Sequence, residues 1–145
     1  MAGSEQMGGA AAPLKDLYDI GEIPPLGHVP AKMHAWAIRK DRHGPPESSM
    51  QLEVVPTWTL DSHDVLVLVM AAGVNYNGVW AALGEPISPL DGHKHPFHIA
   101  GSDASGIVWA VGSKVTRWKV GDEVVVHCNH CLLYTSDAAD DSLRV

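Results

Sequence analysis

The sequence has no apolar run of the roughly 20 residues that a transmembrane helix requires, and its amino terminus lacks the basic and apolar regions of a signal peptide. It also has no excess of positive charge, since 10 basic residues face 17 acidic ones and the formal net charge is −7. This balance excludes the electrostatic footprint of a protein that binds nucleic acid or anionic membranes. Only 2 cysteines are present, too few for a disulfide framework. We therefore expect a soluble cytoplasmic protein whose partners include neither nucleic acid nor a membrane.

A glycine-rich dinucleotide motif of the form G-x-G-x-x-G after a strand is absent as well. Gly101 and Gly106 have the spacing of part of a P-loop, but no Lys-Ser or Lys-Thr pair follows them. No internal repeat is found. The sequence therefore predicts that no nucleotide-binding domain lies within this chain.

What the sequence does contain is a series of short apolar runs bounded by Gly- and Pro-rich turns, which is typical of β-strands. Residues 14–20 predict a short helix, and the long apolar run over residues 64–74 predicts a central strand buried on both faces. Residues 75–84 change to a helical period, with an Asn to cap the start and Gly84 to end the helix. Together these elements predict a mainly β fold with a short helix, arranged as a compact barrel-like domain.

The most suggestive polar segment is Asn75-Tyr76-Asn77, where the long strand gives way to the helix. Strand ends of this kind direct side chains into a cleft, and the first helical turn offers free backbone N–H donors. Two amides and a phenol there could hydrogen-bond a substrate carbonyl or another small polar ligand. In the simpler alternative, Asn75 or Asn77 caps the helix and Tyr76 packs. Trp80, on the same helix, is a candidate wall of the pocket.

Two groups of residues have the composition of a metal site. Cys128 and Cys131 form a C-x-x-C pair with histidines close by, a spacing that is common in zinc sites. The second group consists of three histidines, His93, His95 and His98. Apart from Asp91, no cysteine or carboxylate lies at ligand spacing from them, so a solvated loop is the simpler interpretation of this segment.

Longer segments carry a family resemblance. DVLVLVMAAGVNYNGVWAALG (64–84) and HIAGSDASGIVWAVGSKVTRWKVGDEVVVHC (98–128) resemble the GroES-like catalytic domain of the medium-chain dehydrogenase/reductase superfamily. Within its recurring glycine frame, Gly106 is expected to let two strands approach closely, and Gly112 and Gly121 to sit in turns with positive φ. The resemblance extends over about residues 14–130 to the crotonyl-CoA carboxylase/reductase family. The segments that carry this closer likeness are KDLYDIGEIPPLGHVP (15–30), MHAWAIRKDRHGPP (33–46), NYNGVWAALGEPISP (75–89) and HIAGSDASG (98–106).

The resemblance implies a reductive carboxylation. In the family, a hydride from NADPH reaches the β-carbon of an enoyl-CoA thioester, and the resulting enolate captures CO2 at its α-carbon. Asn77 occupies the position of an asparagine that helps to hold CO2, and Asn75, Tyr76 and Trp80 are then candidate substrate-binding residues. The implied partners are an enoyl-CoA and CO2, and the implied full-length assembly is a homo-oligomer.

The same resemblance implies that much of the enzyme lies later in a longer chain. The Rossmann domain that binds NADPH, the closing strands of the GroES-like barrel, and the aromatic–Glu pair and His that act with the asparagine are all expected there. The barrel is thus expected to be incomplete, with an exposed apolar edge, and this chain alone to be inactive.

Zinc is not expected among the cofactors. In the zinc-dependent branch of the superfamily, a Cys follows the long strand and a Gly-His-Glu precedes the next strand. Here Asn75 and Gly101-Ser102-Asp103 hold those places. Amides and hydroxyls are poor zinc ligands compared with thiolate or imidazole. We therefore predict that no residue of this chain binds a metal, and that the cofactor is NADPH.

These segments divide the chain into three parts: a leader and extension over residues 1–32, a partial GroES-like catalytic domain over 33–130, and a tail over 131–145. The tail reads CLLYTSDAADDSLRV. It resembles a translated transposase sequencing adapter, so we expect it not to be biological.

Three functions remain open at this stage. The first is the N-terminal part of an NADPH-dependent reductive carboxylase that converts crotonyl-CoA and CO2 to ethylmalonyl-CoA. The second is an enoyl-CoA (acrylyl-CoA-like) or quinone reductase that protonates its substrate without carboxylation. The third is a non-catalytic GroES-like module, or a zinc-binding module that uses Cys128 and Cys131.

Overall fold

Two antiparallel sheets of three strands each organise the chain in a computed structural model, which describes residues 13–92 and 94–126. The strands are β1 (Lys32–Ile38), β2 (Gln51–Pro56), β3 (Val65–Ala71), β4 (His98–Ile99), β5 (Ala104–Val111) and β6 (Glu123–Val126). One sheet has the order β2-β1-β4 and the other the order β3-β5-β6. The prediction of a mainly β fold is therefore confirmed.

Two short helices complete the fold, α1 (Pro46–Ser49) and α2 (Asn77–Leu83), together with 3-10 turns at Lys40–Arg42 and Pro89–Asp91. α2 is the predicted helix, and Gly84 ends it in the left-handed conformation, with φ 72°. The sequence did not predict α1, because the Gly-Pro-Pro segment at its start is typical of a turn. Pro46 is nevertheless well suited to the first turn of a helix, where the backbone N–H that proline lacks would have no partner within the helix. Within the described ranges, no helix has the length and apolar character needed to cross a bilayer.

A cleft of about 1150 Å³ lies between the two sheets and is lined by residues of both. At one end of it a small core closes around Ala35, Ala37, Val55 and Phe97, all of which are buried. Trp58 stacks on Phe97 with 5.0 Å between ring centroids. The predicted barrel is thus present as two facing sheets with an open interior.

The prediction of a central, fully buried strand over residues 64–74 is wrong. β3 lies at the edge of its sheet in the described part of the chain, and β5 is the central strand. Val69 and Met70 at the end of β3 are 54% and 56% exposed. A continuous apolar run is compatible with a central or an edge strand, because the run records side-chain character and not strand pairing. The expected exposed apolar edge is found here.

The predicted helix over residues 14–20 is also absent, and the segment is held in an irregular path along the domain. Lys32 N donates to Asp16 O at 2.8 Å, and Trp109 Nε1 of β5 donates to His28 O at 2.8 Å. Tyr18 is buried at 8% exposure. Tertiary hydrogen bonds therefore override a weak local helical preference in this extension.

Gly106 and Gly112 both mark close approaches of the backbone. A Cβ at Gly106 would lie 2.1 Å from Leu68 O, so only glycine fits where β5 passes β3, as predicted. The prediction of a positive φ is confirmed for Gly121, with φ 96°, and is wrong for Gly112, whose φ is not positive. A Cβ there would lie 2.2 Å from Asp61 O, so the constraint is the space beside Asp61 and not the dihedral angle.

An ion-pair cluster stabilises the base of the connection between β1 and β2. Glu53 accepts hydrogen bonds from Arg39 Nε at 3.0 Å and Arg39 Nη2 at 2.6 Å, and a further one from Arg42 Nη2. The Glu53 side chain is only 19% exposed. Hydrogen bonds from Arg39, with those from Arg42, lower the pKa of Glu53 from 4.5 to about 2, although desolvation opposes the change.

The end of α2 is attached to this connection through a single carbonyl. Ala82 O accepts from Gly44 N at 3.0 Å, from Ser49 Oγ at 3.0 Å and from His43 Nδ1 at 3.1 Å. A carbonyl only accepts, so Nδ1 of His43 donates this bond, and Nε2 of the same ring lies 2.8 Å from Ser88 Oγ. Ala82 and Ser49 are fully buried, so these bonds lie away from water.

We expect Glu53→Gln to lower the free energy of unfolding by about 2 kcal/mol at pH 7, the scale of hydrogen bonds to a charged group. The folded pKa of Glu53 is depressed, so its contribution is present above pH 4.5 and is lost as the pH falls towards about 2. The difference between wild type and variant should therefore shrink over that window in urea unfolding curves. Glu47→Gln, at an exposed carboxylate without an ion pair among the described residues, is the control. A difference that stays constant down to pH 2 would contradict the assignment.

Gly84→Ala should cost about 2–4 kcal/mol of unfolding free energy, because two penalties add at this position. Alanine is strained at φ 72°, and its Cβ would lie 2.7 Å from His43 Cδ2. Gly21→Ala is a matched control, since Gly21 has φ 87° but nothing within 4 Å of the added Cβ. It should lose only about 1 kcal/mol. Equal losses in the two variants would show that contact with His43 does not hold α2.

Candidate functional site

The candidate site lies where the chain leaves β3 and enters α2. Asn75, Tyr76 and Asn77 are all exposed, and α2 begins at Asn77. The loop between β4 and β5 comes from a distant part of the sequence and meets this segment. The structure therefore brings together two stretches that the sequence connected only through a family resemblance.

Asn75 is engaged at both ends of its amide. Its Oδ1 accepts from Asn77 N at 3.1 Å, and its Nδ2 donates to Ser102 Oγ at 2.9 Å. The backbone N–H groups of Gly78 and Val79 donate to Asn75 O and Tyr76 O at 3.2 and 3.0 Å. The expectation of free N–H donors in the first turn is therefore wrong, because local acceptors already satisfy them.

Asn77 differs from Asn75 in this respect. Among the described residues, its side-chain amide makes no hydrogen bond, and the residue is exposed. An amide carries two N–H donors and one carbonyl acceptor. Of the two candidate asparagines, Asn77 is thus the one whose side chain is available to a ligand.

Tyr76 and Trp80 form an aromatic pair next to Asn77. Their rings meet edge to face, with 5.5 Å between centroids and 83° between planes. Tyr76 is 66% exposed and Trp80 50%. The pair presents apolar ring surface to solvent beside a free amide, an arrangement that suits a ligand with both apolar and polar parts.

Ser102 and Asp103 are the residues that sequence reasoning undervalued. A Cβ on Gly73 would lie 2.8 Å from Asp103 Oδ2, so the carboxylate packs directly over the glycine backbone. A hollow of about 370 Å³ lies beside this contact. The superfamily pattern contained the signal for Ser102, because it places ligands of one zinc ion at this position and at Asn75.

These two positions do not fit zinc in this chain. Asn75 Nδ2 and Ser102 Oγ bond directly to each other, and neither is a thiolate or an imidazole. In the described ranges there is no group of three or more His, Cys, Asp or Glu side chains that could hold a metal ion.

The other candidate ligands can be placed only in part. The ring of His95 lies 4.2 Å from the Trp58 ring, and His98 is part of β4. His93 and the Cys128–Cys131 pair lie outside the described residues, as does the tail over 131–145.

A nucleotide-binding sheet is not found among the described residues, whose strand pairs are all antiparallel. Dinucleotide-binding domains are built on parallel strands joined by helices. The described residues therefore do not form the parallel sheet of a dinucleotide-binding domain.

Comparison with known proteins identifies close relatives. A crotonyl-CoA carboxylase/reductase of Cereibacter sphaeroides is 76% identical over 118 residues, which are 81% of this chain and 27% of the relative. A solved crotonyl-CoA carboxylase/reductase has 77% identity and a TM-score of 0.75, and the match covers 79% of this chain and 27% of that one. A second solved structure, AntE in complex with NADP, has 52% identity and a TM-score of 0.68, with 78% and 29% covered. The resemblance predicted from the sequence is confirmed.

This chain spans about a quarter of the length of these relatives. The matching family model is that of the alcohol dehydrogenase GroES-like domain, and it covers residues 61–142. The two facing antiparallel sheets agree with the fold predicted from the sequence. The chain belongs to the alcohol dehydrogenase GroES-like domain family.

Proposed function

We propose that this chain is part of an NADPH-dependent reductive carboxylase that converts crotonyl-CoA and CO2 to ethylmalonyl-CoA. The observation that carries the proposal is the 76% identity, over 81% of this chain, to a relative named crotonyl-CoA carboxylase/reductase. The geometry agrees with it, because Asn77 presents a free amide beside the exposed aromatic pair of Tyr76 and Trp80.

In this proposal Asn77 holds CO2 near the substrate. CO2 is an apolar gas whose oxygens accept hydrogen bonds, and the amide N–H groups of Asn77 can donate to one of them. A reactant held in place reacts as if it were present at a high local concentration. NADPH, when bound, would supply the hydride that turns the enoyl thioester into a nucleophile, and we propose that a domain outside this chain would hold it.

Tyr76 and Trp80 act in the same proposal as the apolar wall of the pocket. Water that reaches the reduced substrate would protonate its α-carbon and prevent carboxylation. Ring surface beside Asn77 excludes that water and offers contact area to the acyl chain. Asn75 was a candidate for direct substrate binding, but its amide is already used at both ends, so we propose a supporting role for it.

The second candidate function is reduction without carboxylation, by an enoyl-CoA or quinone reductase. It needs the same fold and cofactor but no group that holds CO2. The free amide of Asn77 is the feature that favours carboxylation over this alternative. Neither candidate function requires zinc. That the full-length enzyme is cytoplasmic and forms a homo-oligomer remains a prediction.

The experiment is an assay of the full-length enzyme with crotonyl-CoA, NADPH and bicarbonate, in which the carboxylated and reduced products are separated by mass spectrometry. We expect carboxylated product to dominate in the wild type. Asn77→Ala should lower the ratio of carboxylated to reduced product by about tenfold, since one hydrogen bond to the bound gas is lost. Ser113→Ala, at an exposed serine in the turn after β5, is the control and should keep the wild-type ratio.

The opposite result is equally clear. If the wild type oxidises NADPH at a rate indifferent to CO2 and yields only reduced product, the chain belongs to a reductase and the carboxylase proposal fails. If carboxylation is normal in Asn77→Ala, the enzyme is a carboxylase but Asn77 does not hold CO2.

We also propose the domain boundaries stated above, with an extension over residues 1–32 and a catalytic domain over 33–130. The tail over 131–145 is then translated adapter sequence, although the family model matches as far as residue 142. The coding DNA tests this directly: codons under Cys131–Asp140 that match the transposase adapter support it. Codons that differ from the adapter would restore the tail to the domain.

A further inference from the structure

We propose that Asn75 and Ser102 are positioning residues that hold Asn77 for CO2 capture. Their hydrogen bond would then set the ratio of carboxylation to simple protonation of the reduced substrate. The inference rests on the proposed function, because it assigns to Asn77 the role given there. It goes beyond that function by naming two side chains that act through Asn77 and touch neither substrate nor cofactor.

The first support is a continuous relay of hydrogen bonds. Ser102 Oγ accepts from Asn75 Nδ2 at 2.9 Å, and Asn75 Oδ1 accepts from Asn77 N at 3.1 Å. Because both ends of one amide are used, the Asn75 side chain cannot rotate without breaking both bonds. The backbone position of Asn77, and with it the origin of its free side chain, is therefore tied to Ser102.

A second contact presses the same two segments together. The carboxylate of Asp103 lies over Gly73 so closely that a Cβ there would be 2.8 Å from Oδ2 and 3.2 Å from Oδ1. Gly73 lies two residues before Asn75, and Asp103 lies one residue after Ser102, so the hydrogen bond and the packing contact lie side by side. The segment between β3 and α2 is thus held against the loop between β4 and β5 at two adjacent points.

The position of that loop explains why Ser102 makes a useful anchor. β4 belongs to the sheet of order β2-β1-β4, and β5 is the central strand of the other sheet. Ser102 therefore lies where the chain crosses between the sheets, with paired strands on either side. A side chain fixed at such a crossing restrains Asn77 more firmly than another residue of the exposed 72–77 segment would.

The product ratio is the quantity that this relay should control. Hydride addition takes place at the β-carbon and commits the substrate before CO2 is needed. The fate of the reduced substrate then depends on whether CO2 or a proton reaches the α-carbon first. A displacement of Asn77 weakens the hold on CO2 and leaves protonation unaffected, so the two products respond differently.

The test uses the full-length enzyme with crotonyl-CoA, NADPH and bicarbonate, and compares Ser102→Ala and Asn75→Ala with wild type. Each variant should lower the ratio of carboxylated to reduced product by about 2- to 10-fold, the effect of losing one neutral hydrogen bond. The KM for CO2 should rise in parallel. Ser102→Thr keeps the hydroxyl and should restore the ratio. Ser113→Ala, at an exposed serine in the turn after β5, is the matched control.

The double variant adds a further check, because two residues of one relay should not contribute independently. Ser102→Ala combined with Asn75→Ala should lower the ratio no more than the larger single effect. A merely structural role is distinguishable, since general loss of structure lowers both products together and keeps their ratio.

An unchanged ratio in both single variants, in an enzyme whose wild type carboxylates, overturns the inference and leaves the proposed function standing. Independent, fully additive losses also overturn it. A wild type that forms only reduced product overturns the proposed function itself. If Ser102→Ala does not fold, Asn75→Ala and the Ser102→Thr variant decide the question by the same ratio.

Discussion

The carbonyl of Ala82 is the acceptor on which the site segment depends. Three donors from the β1–β2 connection converge on it, from Gly44, Ser49 and His43. Because Ala82 lies near the end of α2 and Asn77 begins it, holding one end of this short helix restrains the other. An isolated helix of seven residues is not stable in water. Burial of this junction, with Ala82 and Ser49 fully inaccessible, is what makes α2 a fixed support.

A single hydrogen bond between side chains also links the segment at the start of α2 to a neighbouring loop. Positions that hold zinc ligands in one branch of the superfamily carry Asn75 and Ser102 here, and their side chains bond directly. An amide and a hydroxyl at these positions are poor ligands for zinc but can hold each other by a hydrogen bond.

Several elements were predictable because their signals are local. A change in the spacing of apolar residues and a terminal glycine predict the helix of residues 77–83. Apolar runs between turn residues predict the β-strands. Others were not, for equally physical reasons. The edge position of β3 depends on which strands pair with it, and the irregular path of residues 14–20 depends on hydrogen bonds to distant groups such as the β1 backbone. Such contacts leave no trace in local propensity.

By itself, the sequence determined the fold class, through apolar periodicity and turn residues, and the family, through the resemblance of its segments. It also marked the segment that carries the candidate site. Only the tertiary structure decided which of the two asparagine amides is hydrogen-bonded within the described part of the chain. Asn75 and Asn77 have the same side chain and almost the same sequence context, yet one amide is used by Ser102 and by Asn77 N. That difference arises from a loop 27 residues away along the chain, and a hydrogen bond across such a separation exists only once β3 and β5 have paired in their sheet.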